Sequence, residues 1–145
     1  MTSSVFSILA AVTYGGLALL HIYWAFGGYW PGRSEESLAR TIVGGPPGMR
    51  MPSPLACLGV ALVLIGAAWV VLAANNMVES IVSPAVCRVL ALVGAFILLL
   101  RGVGGFFEVR FRPDIRGSRY ERLNLRLYSP VFLALSLLTV VAALG

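Results

Sequence analysis

Four stretches of the chain are almost free of charge and show no alternation of apolar with polar positions. They are Val5 to Phe26, Pro54 to Ala74, Pro84 to Phe107 and Pro130 to Gly145. Crossing roughly 30 Å of hydrocarbon takes about 20 helical residues, so the first three are long enough to span a bilayer. The last reaches that length if it extends upstream through Leu123 to Tyr128, with a bend at Pro130. In lipid every backbone polar group must be satisfied internally, and uninterrupted apolar runs suit helices, whereas barrel strands would alternate. The expected fold is all-α: an integral membrane four-helix bundle in one domain, with spans near residues 5–26, 54–74, 84–107 and 123–145.

The second, third and fourth runs each open with Ser-Pro: Ser53-Pro54, Ser83-Pro84 and Ser129-Pro130. Serine can cap the first free amides, and proline at the first helical position forfeits no hydrogen bond. The first run is expected to be a retained helix, because Met1 to Ser4 bear no positive side chain and the run closes with His21-Ile22-Tyr23-Trp24 instead of a small-residue cleavage site. Ser7, Ala11 and Gly15 on the first helix, and Ala91 and Ala95 on the third, recur every fourth residue and would let helices approach closely.

Composition agrees with a membrane chain. The 145 residues are 59% hydrophobic and 12% charged, with a mean hydropathy of +0.89. Such a chain is not a water-soluble enzyme, a disordered tail or a nucleic-acid module. The net charge of +5 comes from eleven arginines and six acids, with no lysine. Arg33, Arg40 and Arg50 lie between runs one and two, and Arg110, Arg112, Arg116, Arg119, Arg122 and Arg126 between runs three and four; Arg88 alone lies near the other face. Positive loops stay in the cytoplasm. Both long loops are therefore expected there and both termini outside, in a bacterial plasma (inner) membrane.

Each long loop carries the signal for a short interfacial helix. Ser118-Arg119-Tyr120-Glu121 has capping-box spacing. Beyond it Arg119, Arg122 and Arg126 form one stripe beside Tyr120, Leu123 and Leu127. These arginines could contact lipid headgroups or simply set topology. In the first loop Ser34 can cap a helix from Glu35 to Val43, and Gly44-Gly45-Pro46-Pro47-Gly48 then ends it as a lid or as a surface turn.

The candidate chemistry lies in polar residues at membrane depth. His21 and Arg101 sit five or six residues before the ends of their runs, roughly 7 to 9 Å inside the boundary. Glu108, seven residues after Arg101, shares its helical face and could pair with it directly or through Glu35 or Glu36. Tyr14 and Trp24 flank His21 on its own helix. Burying an ionisable group is costly without a partner, which marks His21, Arg101 and Glu108 as candidates for binding or catalysis; a snorkelling arginine and a neutral structural histidine are the plainer readings. Trp24, Tyr29, Trp30, Phe106, Phe107, Phe111 and Tyr128 gather at one interface, as an aromatic belt or the wall of a cleft. One histidine and two cysteines supply too few ligands for zinc or a bis-histidine haem, so no metal and no cofactor is expected. Cys57 and Cys87 begin helices of opposite direction and cannot bridge within the chain.

The sequence His21-x-x-Trp24-Ala25-x-Gly27-Gly28-x-Trp30-Pro31, with Arg101-Gly102 and Tyr128-Ser129-Pro130, resembles a bacterial family of small four-span membrane proteins catalogued as domain of unknown function 3995. The resemblance covers essentially the whole chain. Where the family often continues its last motif with Leu-Cys, this chain has Val131-Phe132. The resemblance implies the four-span fold and marks His21, Trp24 and Trp30 as motif positions, and it implies no reaction.

The favoured expectation is a non-catalytic module that binds a lipid-like or lipophilic small molecule, or a membrane-protein partner, near the cytoplasmic face. Its ligand set would be Tyr14, His21, Trp24, Trp30, Arg101, Phe106 and Glu108. Membrane lipids are the expected partners, a second copy of the chain is a further candidate, and no nucleic acid is expected. The alternative is a membrane-embedded enzyme for a lipid or isoprenoid substrate, with His21 as general acid or base, Glu108 as its carboxylate partner and Arg101 holding an anion. A proton-coupled transporter is disfavoured, because the outer half of the bundle offers no polar stepping stones.

Overall fold

A computed structural model describes residues 2–145. It is helical, with no strand among the described residues. Four long elements are α1 (Thr2–Ala25), α3 (Pro54–Ala74), α4 (Pro84–Phe111) and α6 (Ser129–Leu144); α2 (Glu35–Ile42) and α5 (Arg119–Leu123) are short. A single 3-10 turn (Pro113–Ile115) precedes α5, and a π turn (Asn124–Tyr128) joins α5 to α6. Four helical segments are long and apolar enough to cross a membrane, the fourth being the run from Arg119 to Leu144. The chain is a membrane protein.

Local chemistry accounts for most boundaries. Ser34, Ser53, Ser83 and Ser118 each accept a hydrogen bond from the backbone N–H three residues on, and Pro54 and Pro84 follow their caps as first helical residues. Ser129 does not cap in this way, because helical backbone already reaches it from Arg119. The continuity is bought with a wider turn, in which the N–H of Ser129 bonds to the carbonyl of Asn124. Just beyond stands Pro130, which has no N–H to offer the preceding turn. α4 runs past the expected end at Phe107 to Phe111, bringing Glu108 onto the helix proper.

α1 packs between α3 and α6, and α4 packs on α6 and α3, so that α1 and α4 stand on opposite corners. The interior is built from small side chains: Ala10, Ala18, Ala61, Ala73, Ala74, Ala91, Ala95, Ala142 and Ala143 are all buried. Larger groups, among them Leu19, Val63, Phe96, Ile97 and Leu137, point outward. That is the arrangement expected when lipid surrounds the helices and close backbone approach drives association. On α1 the buried face is Ser7, Ala10, Tyr14 and Ala18. The expected stripe of Ser7, Ala11 and Gly15 is displaced, since Ala11 and Gly15 are only half-buried and a Cβ on Gly15 would meet nothing.

Toward the end bearing the termini a few amides and hydroxyls tie the helices together. The side-chain amide of Asn75 donates to Ser7 Oγ (2.9 Å) and to the carbonyl of Ala142 (2.8 Å), tying α3 to α1 and α6. Tyr14 Oη lies 3.0 Å from Thr139 Oγ1, and Ser136 Oγ donates to the carbonyl of Ala95 at 2.7 Å. These are amides and hydroxyls bonded to one another or to backbone, so they join helices and leave no buried side-chain polar atom without a partner among the described residues. Cys57 and Cys87 are both buried and free.

Candidate functional site

The arginine-rich end is organised around Glu108. On α4, Arg101 precedes it by two turns and shares its face, and Arg112, the residue that caps the end of α4, follows it by four residues. Arg112 Nη1 lies 2.9 Å from Glu108 Oε1, and Arg101 Nη1 lies 3.9 Å from Oε2. The carboxylate also accepts from Tyr120 Oη (2.8 and 3.0 Å) and from Asn124 Nδ2 (3.0 Å). Arg101 Nη2 in turn donates to Tyr120 Oη at 3.2 Å and to Asn124 Oδ1 at 3.4 Å, and its guanidinium lies 5.1 Å from the centre of the Phe132 ring. The site is only partly dry: the side chains of Arg101, Glu108 and Arg112 are 39%, 19% and 36% exposed. Water or a headgroup can reach the arginines while the carboxylate stays satisfied.

Backbone features place these partners. Asn124 opens the π turn and is buried, donating to the carbonyl of Gly105 at 2.9 Å as well as to Glu108. A Cβ on Gly105 would collide with Ser129 Oγ, so only glycine lets the π turn approach α4 this closely. Arg112 reaches across to the first long loop, donating to the carbonyls of Val43 (3.2 Å) and Gly44 (2.6 Å) at the end of α2. Gly44 has φ +71° and lies under the ring of Tyr120, where a Cβ would overlap it. Tyr128 Oη completes the link by donating to the carbonyl of Thr41 at 3.1 Å.

On the outward side of this node a shallow, open depression of about 640 Å³ on the surface of α4 is lined by Leu100, Gly104, Phe107 and Phe111 together with Arg101, Glu108, Arg110 and Arg112. Arg101 and Arg112 thus pair with the one carboxylate, and Arg110 lies on the same largely apolar depression without an ion pair to it. A Cβ added at Gly104 meets nothing within 4 Å, so the floor of the trough is open.

The structure brings together some of the sequence-derived candidates and separates others. Arg101 and Glu108 meet directly; Glu36 does not join them, and instead accepts from the N–H of Gly48 at 2.9 Å. His21 stays on its own helix, with Nδ1 2.8 Å from the carbonyl of Leu17 and its ring edge-on to Trp24 at 5.0 Å. Because α1 and α4 occupy opposite corners, His21 has no contact with Arg101 or Glu108, and the expected acid-base pairing of His21 with Glu108 is not assembled. Tyr14 lies in the bundle core with Thr139, away from the groove. Trp24 Nε1 donates to the carbonyl of Trp30 at 2.8 Å, folding the motif after α1 back on itself, and Trp30 is exposed. Phe106 is exposed but does not line the groove, which takes Phe107 and Phe111 instead. Arg119 and Arg126 are exposed, and Arg122 reaches only the carbonyl of Gly117 at 3.4 Å. Arg112, Tyr120 and Asn124 are the members that sequence reasoning missed. Asn124 carried a signal, as the one side-chain amide within the apolar run leading to Pro130.

Four apolar helices around a small-residue core, with a charged node at one end, define a polytopic α-helical membrane protein. The chain matches the family described as protein of unknown function (DUF3995) over residues 14–139, and it belongs to that family. No curated protein and no solved structure matches it. The matched region contains His21, Trp24 and Trp30 of the first motif and every residue of the Glu108 node. Among the described residues no group of histidine, cysteine, aspartate and glutamate side chains could hold a metal.

Proposed function

We propose that this protein is a non-catalytic membrane module that holds an anionic amphiphile, a lipid-like molecule with an acidic head, in the groove beside Glu108. In this reading the arginine-rich end faces the cytoplasm of a bacterial plasma membrane, following the distribution of arginine between loops. The supporting observation is the composition of the groove: an apolar floor of Leu100, Gly104, Phe107 and Phe111 continues into a rim with three arginines and one acid. A hydrocarbon tail gains little by moving from lipid onto that floor, because both surroundings are apolar. Selection therefore falls to the head. Each arginine near an interface contributes about 1 kcal/mol toward an anion, so a net excess of two corresponds to roughly 30-fold enrichment over a neutral lipid.

Native mass spectrometry of the full chain from mild detergent, with phosphatidylglycerol and phosphatidylcholine supplied in equal amounts, tests the reading. The anionic lipid should be retained preferentially, Gly104→Leu should abolish retention by filling the trough, and Arg110→Gln should cut the preference about fivefold. Equal retention of the two lipids, or retention unaffected by Gly104→Leu, overturns it. An enzyme with His21 and Glu108 as acid-base partners has no comparable support, because Leu17 and Trp24 engage the histidine on the far corner of the bundle.

A further inference from the structure

A second cleft, of about 530 Å³, lies between the two arginine-bearing loops and is separate from the apolar trough. One wall comes from α2 and the turn after it, with Ser34, Ser37, Arg40 and Gly44 to Pro47. The other comes from Asp114, Ile115, Ser118 and Arg119. Its polar groups divide into those already engaged and those still available. Glu36 Oε1 accepts from the N–H of Gly48, and Asp114 Oδ2 lies 3.7 Å from Arg112 Nη2, so each carboxylate on the cleft has one oxygen committed to another donor. Arg40 and Arg119 have no hydrogen-bond or ion-pair partner among the described residues. The hydroxyl oxygens of Ser34, Ser37 and Ser118 accept from the N–H groups of Ser37, Arg33 and Glu121, which leaves each hydroxyl proton free to be donated.

We infer that this cleft is a binding site for a phosphoryl group, gripped by Arg40 from the first loop and Arg119 from the second, with the serine hydroxyls as auxiliary donors. Arg40 and Arg119 line opposite walls and together carry ten N–H donors in planar forks that match phosphate oxygens, and neither guanidinium makes a hydrogen bond or ion pair among the described residues. The phosphoryl group belongs either to a small cytoplasmic molecule or to a phospholipid head reaching up from the interface. Loop-to-loop contact already exists through Arg112 and Tyr128. The two walls are thus held in place before the anion arrives, and little ordering cost is left for binding. This inference does not depend on the groove beside Glu108.

The test is arginine-selective dicarbonyl labelling of the full chain, read residue by residue by mass spectrometry. One arm uses inorganic phosphate in neutral detergent; the other uses phosphatidylcholine vesicles with and without phosphatidic acid. Protection of Arg40 and Arg119 together, with exposed Arg126 still labelled, supports the site. Protection by free phosphate identifies a soluble ligand, and protection by phosphatidic acid alone identifies a headgroup. Arg40→Gln should raise the half-protecting concentration at Arg119 about tenfold, and Arg119→Gln should do the same at Arg40. Both side chains are exposed and unpartnered, so neither change should alter thermal unfolding. The inference is overturned if neither arm protects, if Arg126 is protected equally, or if each single variant leaves its partner's protection unchanged.

Discussion

The two ends of the bundle are held together by different chemistry. At the end bearing the termini the ties are mostly neutral: the Asn75 amide spans three helices, Tyr14 meets Thr139 nearer mid-bundle, and alanines fill the space between. The one guanidinium there, Arg88, reaches a backbone carbonyl, that of Ala74, and no carboxylate. At the other end one carboxylate gathers two guanidiniums, a phenol and an amide. Neutral hydrogen bonds can be sealed in hydrocarbon at modest cost, whereas ions sealed there lose several kcal/mol of hydration. The charged end stays partly open, with the shallow apolar surface beside Glu108 and the interloop cleft. The other end is open too, through a cavity of about 780 Å³ under the α3–α4 loop, beside its neutral ties.

The comparison predicts a graded set of responses. Glu108→Ala should have the largest effect, about 3 kcal/mol by thermal or chemical unfolding in detergent, because Arg101, Arg112, Tyr120 and Asn124 all lose their common acceptor. A loss below about 1 kcal/mol would mean that the network is decorative. Arg112→Lys keeps the charge, but a single ammonium cannot span Glu108 and the carbonyls of Val43 and Gly44; faster amide exchange over residues 43–48 is expected, with about 1.5 kcal/mol of local stability lost. Asn75→Leu at the neutral end should cost about 1 kcal/mol and leave exchange in that loop unchanged. Tyr14→Phe should be the mildest, about 0.6 kcal/mol, since Thr139 Oγ1 still donates to the carbonyl of Leu135. Coupling between Asn75→Leu and Glu108→Ala in a double-mutant cycle would contradict the independence of the two ends.

The sequence made the spans, their serine caps and the Arg101–Glu108 pairing legible, because length, punctuation and a seven-residue spacing are local properties. Which helices stand side by side is not a local property. Residue counting places His21 and Arg101 at one expected depth, yet the bundle sets their helices on opposite corners, and position along a helix carries no information about azimuth around the bundle. The π turn was hidden for a related reason: Pro130 signalled a bend, and the backbone absorbed the missing donor by widening the turn before it. The helix start expected at Ser118 is found there. The serine caps Glu121 N–H, but the Glu121 carboxylate reaches back one residue further than expected, to the N–H of Gly117.

That wide turn also acts as a phase shifter. The Asn124–Tyr128 segment spends one more residue than a regular coil would, and by doing so it rotates everything upstream relative to α6. Deleting a single residue there would let the backbone relax to ordinary pitch, swinging Tyr120 and Asn124 about 100° away from Glu108 while leaving every span intact. The count of residues between Tyr120 and Ser129 is accordingly as much a part of the Glu108 node as any side chain in it.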